Sequence, residues 1–245
     1  MKKVLITGAN KGIGLETARQ MLRHGYYVFI GSRTIENGNA AVEQLKREGF
    51  ENAEAVQLDV TDTESVQSAR EAIGKKTGVL DALINNAGIN GGWPQSPFDA
   101  SIDQFKSVFD TNVYGVVRVT QAFIDLLRNA GQPRIVNVSS SGCSLTLNSD
   151  PNWKYYTHKA AVYPASKAAM NMYTIDLAYE LRDTPFKVNA VCPGFVATDF
   201  NNYGGTGTAE QGGERIARYA MIGNDGPTGK FISEEHNPET GDCPW

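Results

Sequence analysis

Short apolar runs alternate with longer stretches of mixed polarity along this 245-residue chain. The apolar runs predict strands at Lys3–Thr7, Tyr26–Gly31, Ala53–Leu58, Ala82–Asn85, Arg134–Ser139, Lys187–Val191 and Lys230–Ile232. The stretches between them predict helices at about Gly12–His24, Glu36–Glu48, Thr63–Lys76, Ser101–Asn129, Tyr163–Arg182 and Ala209–Ile222. Because the apolar runs are continuous, we expect strands that are buried on both faces, as in a parallel sheet.

This alternation predicts a single doubly wound α/β domain of the Rossmann type, with a parallel sheet of about seven strands. Signals at helix ends agree: Gly25 and Gly49 follow the first two helices as C-terminal caps, and Thr208 with Gln211 forms a capping box. The sequence contains no linker or repeat, so we expect one domain over residues 1–245. In such a fold, ligands bind beyond the carboxyl ends of the strands.

Composition narrows the function classes. Hydrophobic residues make up 41% of the chain, enough for a sizeable core, and the net charge of −4 without a basic block disfavours nucleic acid as a partner. No apolar run approaches the length of about 18 residues that a membrane helix needs. Three scattered cysteines and no signal peptide favour reduced thiols in the cytoplasm. With three histidines and no metal-binding spacing, we expect no metal site.

The first predicted strand runs into a glycine-rich turn, which extends from Thr7 to Gly14. Its glycines follow the spacing G-x-x-x-G-x-G. Glycines let the backbone turn tightly and approach a pyrophosphate, and the helix that begins near Gly12 presents free N–H groups and a positive dipole end. The strand before the turn and the helix after it favour a phosphate-binding turn over an ordinary glycine turn.

The end of the second predicted strand indicates which dinucleotide is bound. NAD-binding proteins usually place an acid here, whereas this chain has Arg33 and no acid before Glu36. A guanidinium fork suits a 2′-phosphate, and Lys11 in the glycine turn is a second cation that could reach the same phosphate. We therefore expect NADP(H) rather than NAD(H). The alternative is that Arg33 and Lys11 are two solvated surface charges.

Tyr163 and Lys167 stand one helical turn apart, so their side chains share a helix face. A positive charge about 4 Å from the phenol is worth roughly 4 kcal/mol at an effective dielectric near 20, enough to lower a tyrosine pKa of about 10 by around three units. A tyrosine tuned in this way can act as acid or base near neutral pH. By itself the pair is more typical of a half-exposed helix whose lysine extends to solvent, so the other motifs of the chain have to support the catalytic interpretation.

A larger set of motifs resembles the short-chain dehydrogenase/reductase family over nearly the whole chain. The motifs are Thr7-Gly8-x-x-x-Gly12-x-Gly14, Asp59, Asn85-Asn86-Ala87-Gly88, Asn112, Ser139-Ser140-Ser141, Tyr163-x-x-x-Lys167 and Pro193-Gly194-Phe195-Val196-Ala197-Thr198. Asn10-Lys11 and the terminal Pro244-Trp245 are similar to NADPH-dependent carbonyl reductases.

The resemblance implies a cofactor site. Asp59 would accept a hydrogen bond from the adenine amine, unless it caps the next helix. The segment after the fourth strand would lie against the adenosine ribose, and the Val196 backbone with the Thr198 hydroxyl would hold the nicotinamide carboxamide. The full expected set is Gly8, Asn10, Lys11, Gly12, Ile13, Gly14, Arg33, Asp59, Val60, Asn86, Ala87, Gly88, Tyr163, Lys167, Pro193, Gly194, Val196 and Thr198.

It also implies catalytic roles for Asn112, Ser140, Tyr163 and Lys167. Ser140 would bind the substrate carbonyl oxygen; counting back from Gly142 favours Ser139 instead, but strand register favours Ser140. Lys167 would also bind the nicotinamide ribose, and Asn112 would hold a relay water at a distortion of its helix. The alternatives are a capping serine and a surface asparagine. The implied reaction is hydride transfer to the carbonyl of a small, neutral, fairly apolar ketone or aldehyde, or its reverse.

Several questions stay open at this level. Residues 141–162 are either a lid, a pocket wall or a surface excursion, and their insertion leaves association into a homo-oligomer undecided. Asn201–Gly213 contains five glycines and is expected to form a mobile flap or a plain loop, with 200–213 on the substrate side. Trp93 is a further candidate pocket wall. Rival functions are a non-catalytic NADP-binding sensor, a nucleotide-sugar isomerase, and a reductase of quinones or acyl carriers.

Overall fold

The computed structural model describes residues 1–245 and contains one seven-stranded parallel sheet. Its strands are β1 Lys3–Ile6, β2 Tyr27–Ser32, β3 Ala53–Gln57, β4 Ala82–Asn85, β5 Arg134–Val138, β6 Lys187–Val191 and β7 Lys230–Ile232. They lie in the order β3-β2-β1-β4-β5-β6-β7, and every pair is parallel. This topology confirms the predicted doubly wound fold, and each strand lies within one residue of its predicted bounds.

Eight α-helices flank the sheet. They are α1 Gly12–Arg23, α2 Ile35–Arg47, α3 Thr63–Gly74, α4 Ile102–Phe109, α5 Gly115–Arg128, α6 Leu145–Ser149, α7 Val162–Glu180 and α8 Ala209–Ala220. The predicted caps are confirmed: Gly25 and Gly49 adopt positive φ just after α1 and α2, and Thr208 forms a capping box with Gln211. No helix is both long enough and apolar enough to cross a membrane.

The core lies on both faces of the sheet because neighbouring residues of a strand point in opposite directions. Val4 and Ile6 of β1 belong to the apolar cluster that includes residues of α1, α2 and α8. Leu5, between them, belongs to the opposite cluster, which includes residues of α3, α5 and α7. All three are fully buried. Burial on both faces explains why a central strand such as β1 is a continuous apolar run.

The long helix predicted over Ser101–Asn129 is not a regular α-helix. A π-helical turn at Asp110–Tyr114 separates α4 from α5. Gly115 follows this turn and packs closely against Val60. A Cβ at this position would lie 2.8 Å from Cγ2 of Val60, so glycine fits here without displacing Val60. The prediction also missed α6 and two short 3₁₀ turns at Ser141–Cys143 and Asp199–Asn201. Elements of three to five residues are too short for hydrophobic periodicity to reveal.

The predicted loop or flap over Asn201–Gly213 is wrong for its last five residues, which belong to α8, in agreement with the overlapping prediction of a helix from Ala209. Gly212 and Gly213 are buried there, and a Cβ on Gly213 would lie 2.7 Å from the backbone of Glu16 in α1. These glycines therefore permit close packing of two helices. Before α8, the chain turns through Asn202 and Tyr203, both at positive φ, and Gly207 forms a bridge with Val196.

The chain order reverses between β1 and β4, which are neighbours in the sheet although two strands separate them in sequence. A crevice forms at the carboxyl ends of strands where the order reverses. Thr7, at the end of β1, joins the two halves because its hydroxyl accepts hydrogen bonds from the N–H groups of Asn86 (3.0 Å) and Ala87 (2.9 Å).

Candidate active site

A cavity of about 1130 Å³ opens at the carboxyl ends of the strands. It is lined by the turns after β1, β2, β3, β4, β5 and β6 together with the first turns of α7. All the predicted cofactor residues line this cavity, and so do Ser140, Tyr163 and Lys167. Asn112 is the exception among the predicted site residues, since it lies fully buried outside the lining. The tertiary structure thus brings nearly the whole predicted set to one place.

The glycine turn has little room for side chains. Gly8 and Gly12 adopt φ values of 62° and 56°, which other residues seldom adopt. A Cβ on Gly14 would lie 2.5 Å from Nδ2 of Asn86 and 2.6 Å from the carbonyl oxygen of Gly8. Lys11, at the N-cap of α1, makes no side-chain cap bond. The N-terminus of α1 therefore faces the cavity without a capping side chain, which is the geometry that favours a phosphate.

The two cations of the predicted 2′-phosphate site differ in their surroundings. Arg33 is exposed at the cavity edge, beside the buried Ser32. The Lys11 ammonium forms an ion pair with Asp199 of the loop after β6. Both partners are largely exposed, and such pairs contribute about 0–1 kcal/mol, so a phosphate can compete for Lys11.

Asp59 follows β3 and lines the cavity. Its Oδ1 accepts hydrogen bonds from N–H of Thr61 (2.9 Å) and from the Thr61 hydroxyl (2.7 Å). It does not cap α3, because Asp62 does so through the N–H of Glu64. The capping alternative for Asp59 is therefore wrong.

Ser139 and Ser140 face different environments after β5. Ser139 is 2% exposed, and its hydroxyl donates to Oδ1 of Asn171 at 2.7 Å. Ser140 is more accessible; its Oγ accepts from the N–H of Gly142 at 3.2 Å and contacts the Tyr163 phenol. The strand register therefore places Ser140, and not Ser139, beside Tyr163.

Lys167 is buried beneath Tyr163. Its Nζ donates to the carbonyl oxygen of Val138 at 2.7 Å and lies 5.9 Å from the centroid of the Tyr163 ring. A Cβ on Gly88 would lie 3.6 Å from this Nζ, so the absence of a side chain at Gly88 leaves the ammonium accessible from the cavity. The i, i+4 spacing does place the two side chains together, with the ammonium anchored to β5.

The predicted lowering of the Tyr163 pKa is wrong for this arrangement. Burial raises the pKa of Tyr163 above its ordinary value of 10.0, although the hydrogen bond with Ser140 opposes the rise. Burial also lowers the pKa of Lys167 to about 8, which weakens the ammonium as a source of positive charge. The pKa expected from the sequence included the attraction between the phenolate and the ammonium, but not the free-energy cost of removing both charged groups from water.

The π-helical turn points Asn112 toward the segment after β4. Oδ1 of Asn112 accepts from N–H of Ile89, and Nδ2 donates to the Ile89 carbonyl, both at 2.9 Å. Nδ2 also lies 3.0 Å from Oγ of Ser166, which donates to the Tyr163 carbonyl at 2.7 Å. Asn112 thus joins the turn after β4 to α7, and the alternative of a surface asparagine is wrong.

Gln95 is a buried residue that the sequence reasoning missed. Its Oε1 accepts from the N–H of Tyr163 at 3.1 Å and its Nε2 donates to the carbonyls of Asn90 and Gly92. It therefore satisfies the first turn of α7, whose N-cap residue Ala161 has no capping side chain. No local signal could have shown this, because the two partners are 68 residues apart.

Aromatic side chains surround the mouth of the cavity near Tyr163. The Phe200 ring lies 5.4 Å from the Tyr163 ring, and Phe195 also lines the cavity. None of residues 141–162 lines it, but Tyr155 of this insertion packs edge-on against Phe195 at 5.6 Å. Trp93 is 71% exposed and lies outside the lining. The insertion therefore packs against a residue of the cavity wall without lining the cavity itself.

Burial of Lys167 predicts a pH dependence of stability. The unfolded chain binds more protons than the folded one between the folded pKa of about 8 and the ordinary value of 10.5. The penalty for burying the ammonium is fully present below this window and is relieved as the pH rises through it. Lys167→Met has no ammonium to deprotonate. Between about pH 8 and pH 10.5, the unfolding free energy of the wild-type protein should therefore rise by up to about 3 kcal/mol relative to that of the variant. Urea unfolding at several pH values measures the difference; curves that stay parallel would contradict the burial argument.

Comparison with known proteins agrees with the geometry. A family model described as "short chain dehydrogenase" matches residues 2–207. (+)-Neomenthol dehydrogenase of Capsicum annuum is 34% identical over 93% of this chain and 94% of its own length. Salutaridine reductase of Papaver bracteatum is 31% identical over 94% of each chain.

Solved structures give the same result. That of salutaridine reductase from Papaver somniferum has a TM-score of 0.82 and 31% identity, covering 94% of this chain and 99% of that one. NADPH-bound carbonyl reductase from chicken fatty liver also has a TM-score of 0.82, with 26% identity over 100% of this chain and 99% of that one. With its sheet order, its glycine turn and these matches along nearly its whole length, the chain belongs to the short-chain dehydrogenase family.

Proposed function

We propose that this protein is an NADP(H)-dependent oxidoreductase that reduces the carbonyl group of a small ketone or aldehyde, or oxidises the corresponding alcohol. One observation carries the proposal: Ser140, Tyr163 and Lys167 meet in the same cavity as the glycine turn and Arg33. This combination supplies a proton donor at one end and an anion-binding turn with two cations toward the other.

The cavity residues fit a dinucleotide. The volume of about 1130 Å³ exceeds that of an ordinary drug-sized site, and the uncapped α1 N-terminus suits a pyrophosphate. Arg33 and Lys11 would bind the 2′-phosphate, Asp59 the adenine, and Val196 and Thr198 the carboxamide. When bound, the cofactor supplies the hydride. The similar carbonyl reductase from chicken fatty liver binds NADPH, which supports the same choice for this chain.

The chain's own groups then manage the charge on the substrate oxygen. The Ser140 and Tyr163 hydroxyls would donate hydrogen bonds to this oxygen as negative charge develops on it. Burial raises the pKa of Tyr163, so the phenol keeps its proton near neutral pH, and this is the proton that would pass to the substrate oxygen as negative charge develops there. Lys167 would hold the ribose hydroxyls, and Asn112 would hold the relay water through the backbone of Ile89.

We expect a neutral, apolar substrate. The cavity is lined by only three basic residues, and two of them, Lys11 and Arg33, belong to the expected phosphate site. The third, Lys167, is buried beside Tyr163, where Phe195 and Phe200 supply apolar surface. The similarity to (+)-neomenthol dehydrogenase and salutaridine reductase supports a search among such alcohols and carbonyl compounds.

A panel of carbonyl compounds tests this function through the loss of NADPH absorbance, with NADH in parallel. The panel should contain cyclic ketones, aromatic aldehydes, quinones and acyl thioesters, so that it also separates the rivals. We expect turnover with at least one neutral ketone or aldehyde. Tight NADPH binding without turnover of any compound would favour the non-catalytic sensor instead.

Two further properties are proposals with independent tests. The three cysteines are unpaired, which supports a cytoplasmic location, and cell fractionation would test it. Association into a homo-oligomer stays a prediction to be tested by light scattering.

A further inference from the structure

Glu235, in the segment after β7, receives three hydrogen bonds from two other parts of the chain. Its Oε2 accepts from the backbone N–H of Phe195 at 2.6 Å. Its Oε1 accepts from the hydroxyl of Tyr155 at 2.5 Å and from Nζ of Lys154 at 2.7 Å. The side chain is only 16% exposed. Hydrogen bonds to an ionised, largely buried carboxylate are the strong ones in proteins.

Phe195 belongs to the loop after β6, which contains the residues expected to hold the nicotinamide. Two side chains that lie outside the cavity bind the backbone of this loop on either side of Gly194. Nη1 of Arg215 donates to the Pro193 carbonyl at 2.7 Å, and Glu235 binds the N–H of Phe195. Gly194 stands between them at a φ of 91°, and a Cβ there would lie 2.2 Å from Nη1 of Arg215 and 3.1 Å from Oε2 of Glu235. The two charged side chains occupy the space that a side chain at Gly194 would need.

The same carboxylate also fixes the insertion. The Tyr155 ring packs edge-on against the Phe195 ring at 5.6 Å and against the Trp153 ring at 5.5 Å. Glu235 therefore connects the two segments: its Oε1 accepts from the Tyr155 hydroxyl, and its Oε2 accepts from the backbone N–H of Phe195. The insertion has no residue in the cavity, so this junction is one route by which it can act on the loop after β6.

We propose that Glu235 is a positioning residue for the nicotinamide half of the cofactor: by joining residues 154–155 to the N–H of Phe195, it holds the loop from Pro193 to Thr198 in its binding conformation. This proposal rests on the proposed NADP(H) dependence. The adenosine half of the site, built from the turns after β1, β2 and β3, makes none of these contacts. Loss of Glu235 should therefore affect one half of the cofactor site and leave the other unchanged.

The test compares two ligands on purified full-length protein. NADPH fills both halves of the site, whereas 2′-phospho-ADP-ribose lacks the nicotinamide ring. For Glu235→Ala we expect the dissociation constant of NADPH to rise about tenfold, equivalent to about 1.4 kcal/mol. That of 2′-phospho-ADP-ribose should stay within about twofold. Isothermal titration calorimetry measures both constants.

Glu54→Ala is the matched control. Glu54 also accepts a tyrosine hydroxyl, that of Tyr27 at 3.0 Å, and the ammonium of Lys76, but it lies on β3 outside the main cavity. It should leave both dissociation constants unchanged. Glu235→Gln should restore most of the NADPH affinity, because its amide oxygen can still accept from the N–H of Phe195. Rescue by this variant separates positioning of the loop from general stabilisation.

The outcomes test the proposed function and the role of Glu235 separately. A wild-type protein that binds neither ligand overturns the proposed function. A wild-type protein that binds both, with a Glu235→Ala variant that weakens both equally or neither, overturns the role of Glu235 alone. Where Glu235→Ala does not fold, Tyr155→Phe replaces it, since it removes one bond to Oε1. We expect this variant to lose affinity for NADPH and to keep its affinity for 2′-phospho-ADP-ribose. If the variant binds each ligand as tightly as the wild type does, the proposal is overturned.

Discussion

Tyr163→Phe should reduce turnover by about 10²- to 10⁴-fold, the range that general acid catalysis contributes. The substitution keeps the ring and removes only the hydroxyl, so the contact with Phe200 survives and the proton donor is lost. NADPH affinity should stay within about twofold of wild type, since the ring stays in place and the other residues of the expected cofactor set keep their positions around the cavity. Absorbance assays with the best substrate of the panel give the first quantity, and calorimetric titration gives the second.

Tyr173→Phe is the matched control for this prediction. Tyr173 lies on the same helix, α7, is partly buried, and lies outside the cavity lining. Its phenol contacts Thr120, so this substitution also removes a hydroxyl that has a hydrogen-bonding partner. We expect near wild-type turnover from Tyr173→Phe. A Tyr163→Phe variant with comparable turnover would remove Tyr163 from its proposed role.

Arg33→Ala should raise the KM for NADPH by about 10- to 100-fold and leave that for NADH nearly unchanged. A hydrogen bond to a charged group is worth about 1.5–3 kcal/mol, which corresponds to this range. Arg33 is exposed at the cavity edge and has no carboxylate partner, so a 2′-phosphate would meet a free guanidinium. Initial rates with varied NADPH and NADH measure the selectivity.

Arg47→Ala, at the exposed end of α2 and outside the cavity, controls for loss of one positive charge. It should leave the selectivity unchanged. Lys11→Ala should have a smaller effect than Arg33→Ala, because Asp199 already competes for the Lys11 ammonium. Equal use of NADH and NADPH by the wild-type protein would contradict the assignment of both residues to a phosphate.

The fold was predictable because its signals are local and repeated. Most strands of the sheet are short runs of mainly apolar residues, and buried residues such as Leu5 and Ile6 lie on opposite faces of the sheet, so local hydrophobicity identified all seven strands. The exceptions have physical reasons. The glycines of α8 resemble a loop in sequence, but they exist because the α1 backbone approaches them closely. The π-helical turn lies at Asn112, where the resemblance had implied a distortion, but no local pattern shows that this side chain pairs with Ile89.

The candidate site was predictable to a similar degree. The positions that depend on short spacings, such as the glycine turn and the pair Tyr163 and Lys167, lie together in the cavity as expected. Gln95 and Glu235 could not be found in this way, because the hydrogen bond that connects each of them to the site joins residues at least 40 positions apart. A glutamine and a glutamate in polar segments are unremarkable until the chain is folded.

Local sequence is sufficient to specify the order of strands and helices, the glycine turn, and the helical spacing that places an ammonium beneath a phenol. These are consequences of backbone geometry over a few residues. Three other properties follow from the folded arrangement: which serine faces Tyr163, in which direction the pKa of Tyr163 shifts, and how the insertion contacts the loop after β6. Those outcomes depend on burial and on contacts between distant segments, because desolvation and hydrogen bonding act through space and not along the chain.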